Sequence, residues 1–142
     1  MPSRTGFIVG SWPSLGSVRE TRTARITLTD DGILVIRIRK GARQTPADAL
    51  ENLTTATAEA AGQRRPLFVD ITGSAPLSAE TRHLYSGKAL DSGFVALGLL
   101  IESSPLGRMM GNVYLRVARP GIPLRLFTAE AQAFEWLTGY LT

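Results

Sequence analysis

The feature that most constrains the fold is a mostly apolar stretch in the middle of the chain, which reads as a buried strand. Residues 66–71 read Pro-Leu-Phe-Val-Asp-Ile, and polar and apolar positions do not alternate along them. A strand without alternation is typical of a sheet that helices cover on both faces. Residues 72–77 then read as a loop, and Ser78 reads as the N-cap of a helix. The sequence therefore predicts an α/β domain with this strand at its centre.

Upstream of that strand, the pattern predicts a hairpin and then a helix. Residues 25–29 and 33–39 alternate polar and apolar side chains around an Asp-Gly turn, which is a hairpin signal. Thr45 followed by Pro46 supplies an N-cap hydroxyl and a proline at the first helical position. We expect this helix to run to about residue 61 and to end at Gly62.

Downstream of the strand, helices and strands alternate. The predicted elements are a helix from Ser78 to about Leu90, a strand over 94–101, a helix opened by Ser104-Pro105, a strand over 123–127 and a helix capped by Thr128. The core-facing residues predicted in the last two helices are Leu106, Met109, Met110 and Val113, then Ala133, Trp136, Leu137 and Tyr140. The right-handed crossover rule assembles these units into one mixed β-sheet of about five strands with helices packed on it.

Length and composition define a single domain in a reducing compartment. A chain of 142 residues with 44% hydrophobic side chains is long enough to bury one core. We assign residues 24–142 to the domain and residues 1–23 to an N-terminal arm or an extra edge strand. The sequence has no cysteine, which excludes disulfides and thiolate nucleophiles and favours a cytoplasmic protein. The longest apolar run, residues 94–101, is too short for a membrane span.

The basic balance of the chain is modest and dispersed. Sixteen Lys and Arg residues against twelve Asp and Glu residues leave a net charge of +4. The arginines are scattered and lack the interleaved aromatic residues of a single-strand binding platform. We therefore predict no nucleic-acid partner.

Candidate functional residues follow the central strand. Ligands of open α/β sheets bind at the carboxyl ends of the strands, and Asp70, Thr72, Ser74 and Ser78 fall at that edge. We expect a partner-binding or phosphorylation site there.

A second group of polar residues is expected at the same edge. Arg82 follows Ser78 by one helical turn, and Ser103 precedes the next predicted helix. Arg108 and Asn112 lie one turn apart on that helix and are candidates for binding a small anion or a partner peptide. Plain solvent exposure is the alternative for both side chains.

An enzymatic function ranks last on sequence grounds. His83 is the only histidine, and five helical residues rotate it by about 140° from Ser78, so it is poorly placed as a base for that hydroxyl. Gly87-Lys88 is not a phosphate-binding loop, because Arg82 stands where the first glycine is required. We predict no catalytic residue, no cofactor and no metal.

The order of elements resembles the STAS superfamily, the anti-sigma factor antagonist fold, and in particular its bacterial STAS/SEC14-like branch. The resemblance covers residues 24–141 approximately. The residues that carry it are Asp31-Gly32-Ile33, residues 66–71, 77–82, 103–108 and 123–128, and Ala133 with Trp136-Leu137.

What this resemblance implies is a regulatory or docking domain without catalysis. Typical members carry a phosphorylatable serine at the N-terminus of the helix that follows the central strand, and Ser78 is the candidate here. In the usual pattern the acceptor falls nearer Ala79, and the acidic residue followed by paired serines and glycine is absent. A plain helix cap is therefore the simpler interpretation of Ser78.

Two alternatives remain open at this point. The SEC14-like kinship implies a pocket for a lipid or other small hydrophobic ligand, with Leu84, Tyr85, Met109, Met110 and Phe134 as its lining. The other alternative is self-association as a homodimer, through a helix face or a strand edge.

Overall fold

A six-stranded sheet organises the molecule. A computed structural model describes residues 18–85, 93–109, 112 and 121–141. Its strands are β1 (Val18–Glu20), β2 (Ala24–Leu28), β3 (Leu34–Ile38), β4 (Arg65–Asp70), β5 (Phe94–Leu100) and β6 (Leu124–Phe127). Its helices are α1 (Pro46–Glu59), α2 (Ala79–Leu84) and α3 (Glu130–Thr138), and residues 105–109 are also helical.

The strands lie side by side in chain order. β1, β2 and β3 pair antiparallel, and β3, β4, β5 and β6 pair parallel. Arg37 is opposite Asp70, Asp70 is opposite Leu100, and Leu100 is opposite Phe127, so the last four strands end at one edge. The predicted single mixed sheet is confirmed. Over the described residues it has six strands rather than about five, because residues 18–20 form the edge strand β1.

Local sequence signals explain where the early elements begin and end. Gly32 has a φ of +107° in the β2–β3 turn, a conformation that a side chain would strain. The Thr45 hydroxyl accepts a hydrogen bond from the Asp48 N–H (3.2 Å), and Asp48 accepts one from the Thr45 N–H (2.8 Å). This capping box fixes the predicted start of α1.

Helices cover both faces of the sheet, as the lack of alternation in β4 predicts. Leu67 and Val69 belong to the core under α1 and α2, whereas Phe68 belongs to the core under α3. The first core also contains Ile26, Ile36, Leu53, Leu97 and Leu99; the second contains Ile33, Val35, Phe127, Ala133 and Leu137. We call these surfaces the α1/α2 face and the α3 face.

Two details of the later helices differ from expectation. Leu106 and Met109 are 60% and 56% exposed, so they do not face the core. The buried residue of this segment is Gly107, where a Cβ would lie 2.4 Å from the Glu102 carbonyl oxygen. Met110 and Val113 lie outside the described residues.

The cap of the last helix also differs. The N-cap of α3 is Ala129 rather than Thr128, and no side chain caps this helix. The apolar stripe of α3 is confirmed, since Ala133 and Leu137 are buried and Trp136 packs beside them. α2 spans six residues, and the predicted continuation over 86–90 lies outside the described residues. No helix in the described part of the chain is long and apolar enough to cross a membrane.

Candidate functional site

Loops from three neighbouring strands meet at the carboxyl edge of the sheet. The Gly41 N–H donates to the Gly73 carbonyl (2.7 Å), and the Ala75 N–H donates to the Ala42 carbonyl (3.1 Å). On the other side, the Gly73 N–H donates to Glu102 Oε2 (2.8 Å). The loop after β4 is therefore fixed between the loops that follow β3 and β5.

Asp70 is bound into an ion network on the α3 face. Its Oδ1 accepts hydrogen bonds from the N–H (2.9 Å) and hydroxyl (2.6 Å) of Thr72, and its Oδ2 accepts one from Arg37 Nη1 (3.1 Å). Arg37 also donates two 2.9 Å hydrogen bonds to the carboxylate of Glu130 in α3. The hydrogen bonds and charge of Glu130, together with the charge of Asp70, raise the pKa of Arg37 above its ordinary value.

Arg37 and Glu130 were missed by sequence reasoning. Glu130 is 93 positions after Arg37, and neither residue belongs to a motif. Val35 is opposite Phe68 in the β3–β4 register, and Arg37 is two residues further along β3, so Arg37 and Phe68 share a face. The Arg37 guanidinium lies 5.5 Å from the centre of the Phe68 ring. The partner of Arg37 is decided only by where α3 docks.

Ser78 caps α2, as predicted. Its Oγ accepts a hydrogen bond from the Thr81 N–H (3.2 Å) and lies 2.9 Å from Thr81 Oγ1. Ser78 is exposed. Ser74, in the loop before it, donates a hydrogen bond from its Oγ to the Ala75 carbonyl (2.9 Å). Arg82 Nη1 donates to the Leu77 carbonyl (2.6 Å), while Arg82 Nε is buried and has no hydrogen-bond partner among the described residues.

Asp70 and Ser78 share the carboxyl edge but serve opposite faces. Asp70 is hydrogen-bonded to Arg37, which in turn binds Glu130 of α3. Ser78 caps α2, which packs on the α1/α2 face, where the Thr81 hydroxyl donates a hydrogen bond to the Gln44 carbonyl (3.5 Å). The structure gives no hydrogen bond between Asp70 and Ser78. The two residues are neighbours along the edge and not members of one cluster.

A buried polar network lies between α1 and the end of α2. Asn52 is fully buried and donates through Nδ2 to Thr23 (3.0 Å), to Gln44 Oε1 (3.2 Å) and to the Tyr85 hydroxyl (3.1 Å). The Tyr85 hydroxyl donates in turn to Gln44 Oε1, and the Thr21 hydroxyl donates to Asn52 Oδ1 (2.5 Å). Burial raises the pKa of Tyr85 to about 12. The network connects the turn between β1 and β2, the loop before α1, α1 itself and the C-cap residue of α2.

A polar groove lies further along the edge, where β5 and β6 end. It encloses about 350 Å³. Its lining residues are Ile101, Arg108, Asn112, Arg125, Leu126, Phe127, Thr128 and Gln132. The structure thus brings the predicted pair Arg108 and Asn112 together with Arg125 and Gln132, which the sequence did not single out. Ser103 is exposed and does not line the groove. Ser104 caps the 105–109 segment by accepting a hydrogen bond from the Gly107 N–H (3.0 Å).

The pocket expected for a lipid is not formed by the residues proposed for it. Leu84 and Tyr85 lie on the α1/α2 face, whereas Phe134 packs against Phe68 on the α3 face with ring centres 4.6 Å apart. The sheet separates them. An apolar cavity between Leu77, Tyr85 and the sheet measures about 20 Å³, which holds about one water molecule and no acyl chain.

The described residues offer no assembly typical of metal or nucleophilic chemistry. Across residues 18–85, 93–109, 112 and 121–141, no group of three or more His, Cys, Asp and Glu side chains is placed to hold a metal ion. His83 is exposed on α2, and the Ser78 hydroxyl is bonded to Thr81.

Comparison with known families settles the relationship of the chain. A family model described as "Domain of unknown function (DUF7793)" matches residues 26–141. The chain belongs to the DUF7793 family. No curated protein matches it.

Two solved structures are similar to this DUF7793 chain. One is an uncharacterized protein of the DUF3478 family with a SpoIIAA-like fold from Shewanella loihica PV-4, at 16% identity and a TM-score of 0.54, covering 92% of this chain and 99% of that chain. The other is a protein of unknown function from Arthrobacter sp. FB24, at 26% identity and a TM-score of 0.31, covering 79% of this chain and 90% of that chain. The first similarity confirms the STAS-like, or SpoIIAA-like, fold expected from the sequence.

Proposed function

We propose that this DUF7793 domain is a non-enzymatic interaction module of STAS-like type that docks a partner protein on residues 76–80. We call these residues, Pro76 to Glu80, the docking turn. The observation that carries the proposal is the combination of a fixed backbone with an exposed tip. Hydrogen bonds to Gly41, Ala42 and Glu102 hold the loop that precedes the docking turn, while Pro76, Ser78, Ala79 and Glu80 are exposed. A surface that is already ordered loses little conformational entropy when a partner binds.

Ser78 is the candidate for regulating this surface. A phosphate there adds between about −1.5 and −2 charges at neutral pH and competes with the hydrogen bonds to Thr81. It also introduces repulsion with the exposed carboxylate of Glu80. Modification of one hydroxyl would therefore change both the shape and the charge of the docking turn.

The chemistry of the edge supports binding rather than catalysis. The only histidine of the chain, His83, is exposed on α2, and the sequence contains no cysteine. Few other side chains exchange protons near neutral pH. The lack of cysteine also supports our proposal that the module works in the cytoplasm.

Site-specific photo-crosslinking in cells of the native host tests the docking turn. A photoreactive residue replaces Ala79. In the matched control it replaces Ala58, an exposed alanine near the C-terminal end of α1. We expect a discrete adduct from position 79 that is absent from position 58. An adduct of twice the chain mass identifies a second copy of this chain as the partner.

A charge reversal makes the test specific. Glu80→Arg in the chain that carries the probe at position 79 should reduce the adduct at least fivefold, because it reverses the charge of the exposed tip. Equal adducts from positions 79 and 58, or no adduct from a folded chain labelled at position 79, would contradict the proposal.

A further inference from the structure

The polar groove at the ends of β5 and β6 has the size and position of a small-molecule site. Its volume of about 350 Å³ falls within the range of ligand pockets, which starts near 300 Å³. It lies at the carboxyl ends of parallel strands, the edge at which open α/β sheets bind ligands. Position and volume therefore agree with a binding site that is separate from the docking turn.

The charged side chains among the described lining residues of the groove are all positive. Arg108 and Arg125 both line it, and none of its described lining residues is an aspartate or a glutamate. Neither guanidinium forms a hydrogen bond or ion pair with another described residue, whereas Arg37 nearby is neutralised by Asp70 and Glu130. Two guanidinium groups without anionic partners are ready to accept a carboxylate or a phosphate.

One of these guanidinium groups is already positioned by aromatic rings. The Arg125 guanidinium lies 5.3 Å from the centre of the Phe127 ring and 5.9 Å from that of Trp136. Stacking against rings holds the arginine without using its N–H donors, which stay available to a ligand.

The remaining lining adds polar and apolar contacts. Asn112, Thr128 and Gln132 contribute side-chain donors and acceptors, and Ile101, Leu126 and Phe127 contribute apolar surface. An inorganic ion would leave that apolar surface in water. The lining therefore fits a ligand with an anionic group and a small hydrophobic body.

We propose that this groove binds a small organic anion, with its phosphate or carboxylate between Arg108 and Arg125 and its apolar part against the groove floor. The site involves none of the residues of the docking turn, so either proposal can fail without the other.

NMR titration of the full ¹⁵N-labelled chain tests this with three probes: phenyl phosphate, inorganic phosphate and the neutral benzyl alcohol. We expect saturable shifts with phenyl phosphate, concentrated at Gln132, Asn112 and the Arg125 side chain. Inorganic phosphate should bind at least threefold more weakly, because it makes no apolar contact. Benzyl alcohol should produce no saturable shift, because it carries no charge.

Variants assign the binding to the two arginines. Arg125→Gln and Arg108→Gln should each weaken phenyl phosphate binding at least threefold, and the double variant at least tenfold. Arg125→Lys should fall between Arg125→Gln and the unchanged chain, since it keeps the charge and loses the planar fork. The matched control is Arg43→Gln, another exposed arginine, which should leave binding unchanged.

Three results would overturn the proposal. These are no saturable shift with phenyl phosphate, equal weakening by Arg43→Gln, and binding by benzyl alcohol as strong as by phenyl phosphate. Arg108 and Arg125 are both exposed, so their variants are expected to fold; a circular dichroism spectrum verifies this, and either single variant suffices if the other is lost. Glu80→Arg should leave phenyl phosphate binding intact, which separates this site from the docking turn.

Discussion

The α1/α2 face of the sheet encloses a polar network, whereas the α3 face is packed with aromatic rings. On the first face, Asn52 hydrogen-bonds to side chains from three other segments of the chain. On the second, Phe68 packs against Phe134. The centre of the Trp136 ring lies 5.7 Å from that of Phe127 and 5.0 Å from that of Tyr140. Both faces belong to the same strands, so the difference comes from the helices and loops that cover them.

The contrast shows two ways of fixing a helix on a sheet. The α1/α2 face must hold two helices and the loops that connect them, and directional hydrogen bonds specify one arrangement of those pieces. Among the residues that the structure describes, the helix on the other face is α3, and there shape and apolar contact suffice. The docking turn leads into α2 on the hydrogen-bonded α1/α2 face. Trp136, which positions Arg125 in the groove, belongs to the aromatic α3 face.

The strongest test of the aromatic face is Phe68→Ala. Phe68 is fully buried beneath Phe134, so we expect a loss of about 3–5 kcal/mol in unfolding free energy. Urea unfolding followed by Trp136 fluorescence in a Trp12→Phe background measures it. Val18→Ala at the exposed edge strand is the control and should cost under about 0.5 kcal/mol. A loss below about 1 kcal/mol for Phe68→Ala would show that α3 does not depend on this packing.

The polar face is tested by Asn52→Leu. This change leaves the Thr21 and Thr23 hydroxyls buried without their amide partner, and we expect a loss of about 2–3 kcal/mol by urea unfolding. Thr54→Leu, on the exposed side of the same helix, should change stability by under about 0.5 kcal/mol. If Asn52→Leu were neutral or stabilising, the network would not be what holds α1 and α2 in place.

Acid should act on the polar face first, through Asp48. The hydrogen bonds from Arg22 hold the pKa of Asp48 below its usual 3.8, against the opposing effect of burial, and hydrogen bonds from Thr45 lower it further. A depressed folded-state pKa means that the stabilisation is complete above about pH 4 and is lost as the pH falls. Asp48→Asn should therefore differ most from the unchanged chain at pH 7 and progressively less toward pH 3.

Chemical denaturation at pH 7, 4 and 3 measures this convergence. Glu135→Gln, at an exposed position of α3, is the comparison variant. A gap between Asp48→Asn and the unchanged chain that stays constant across this pH range would rule out the proposed ionisation effect.

The smallest effect is expected at the ion network that joins the sheet to α3. Arg37 and Glu130 are 40% and 46% exposed, so Arg37→Met should cost only about 0.5–1 kcal/mol, and 1 M salt should reduce the cost. Thermal unfolding at low and high salt measures both quantities. Arg25→Met, the register partner on β2, is the matched control and should have less effect. Equal effects of the two changes would show that this ion network adds nothing to α3 docking.

The candidate site was only partly accessible to sequence reasoning. Local spacing predicts that Ser78 caps a helix. The place of Arg108 and Asn112 in the order of elements predicts that they lie at the sheet edge. Arg125 and Gln132 have no local signal that assigns them to a groove, because their function depends on β6 ending beside β5. The separation of Phe134 from Tyr85 was also hidden, since an apolar residue on a helix does not indicate which face of the sheet the helix covers.

The sequence by itself determined the order of the elements from β2 onward, because caps, turns and hydrophobic periodicity act over a few residues. Thr45 starts α1, Gly32 turns the hairpin, and the continuous apolar run of β4 requires cover on both faces. Only the tertiary structure decided which distant side chains meet: Asn52 with Tyr85, Arg37 with Glu130, and Arg108 with Arg125 in one groove. Such pairings depend on the docking of whole helices and strands, which no short stretch of sequence encodes.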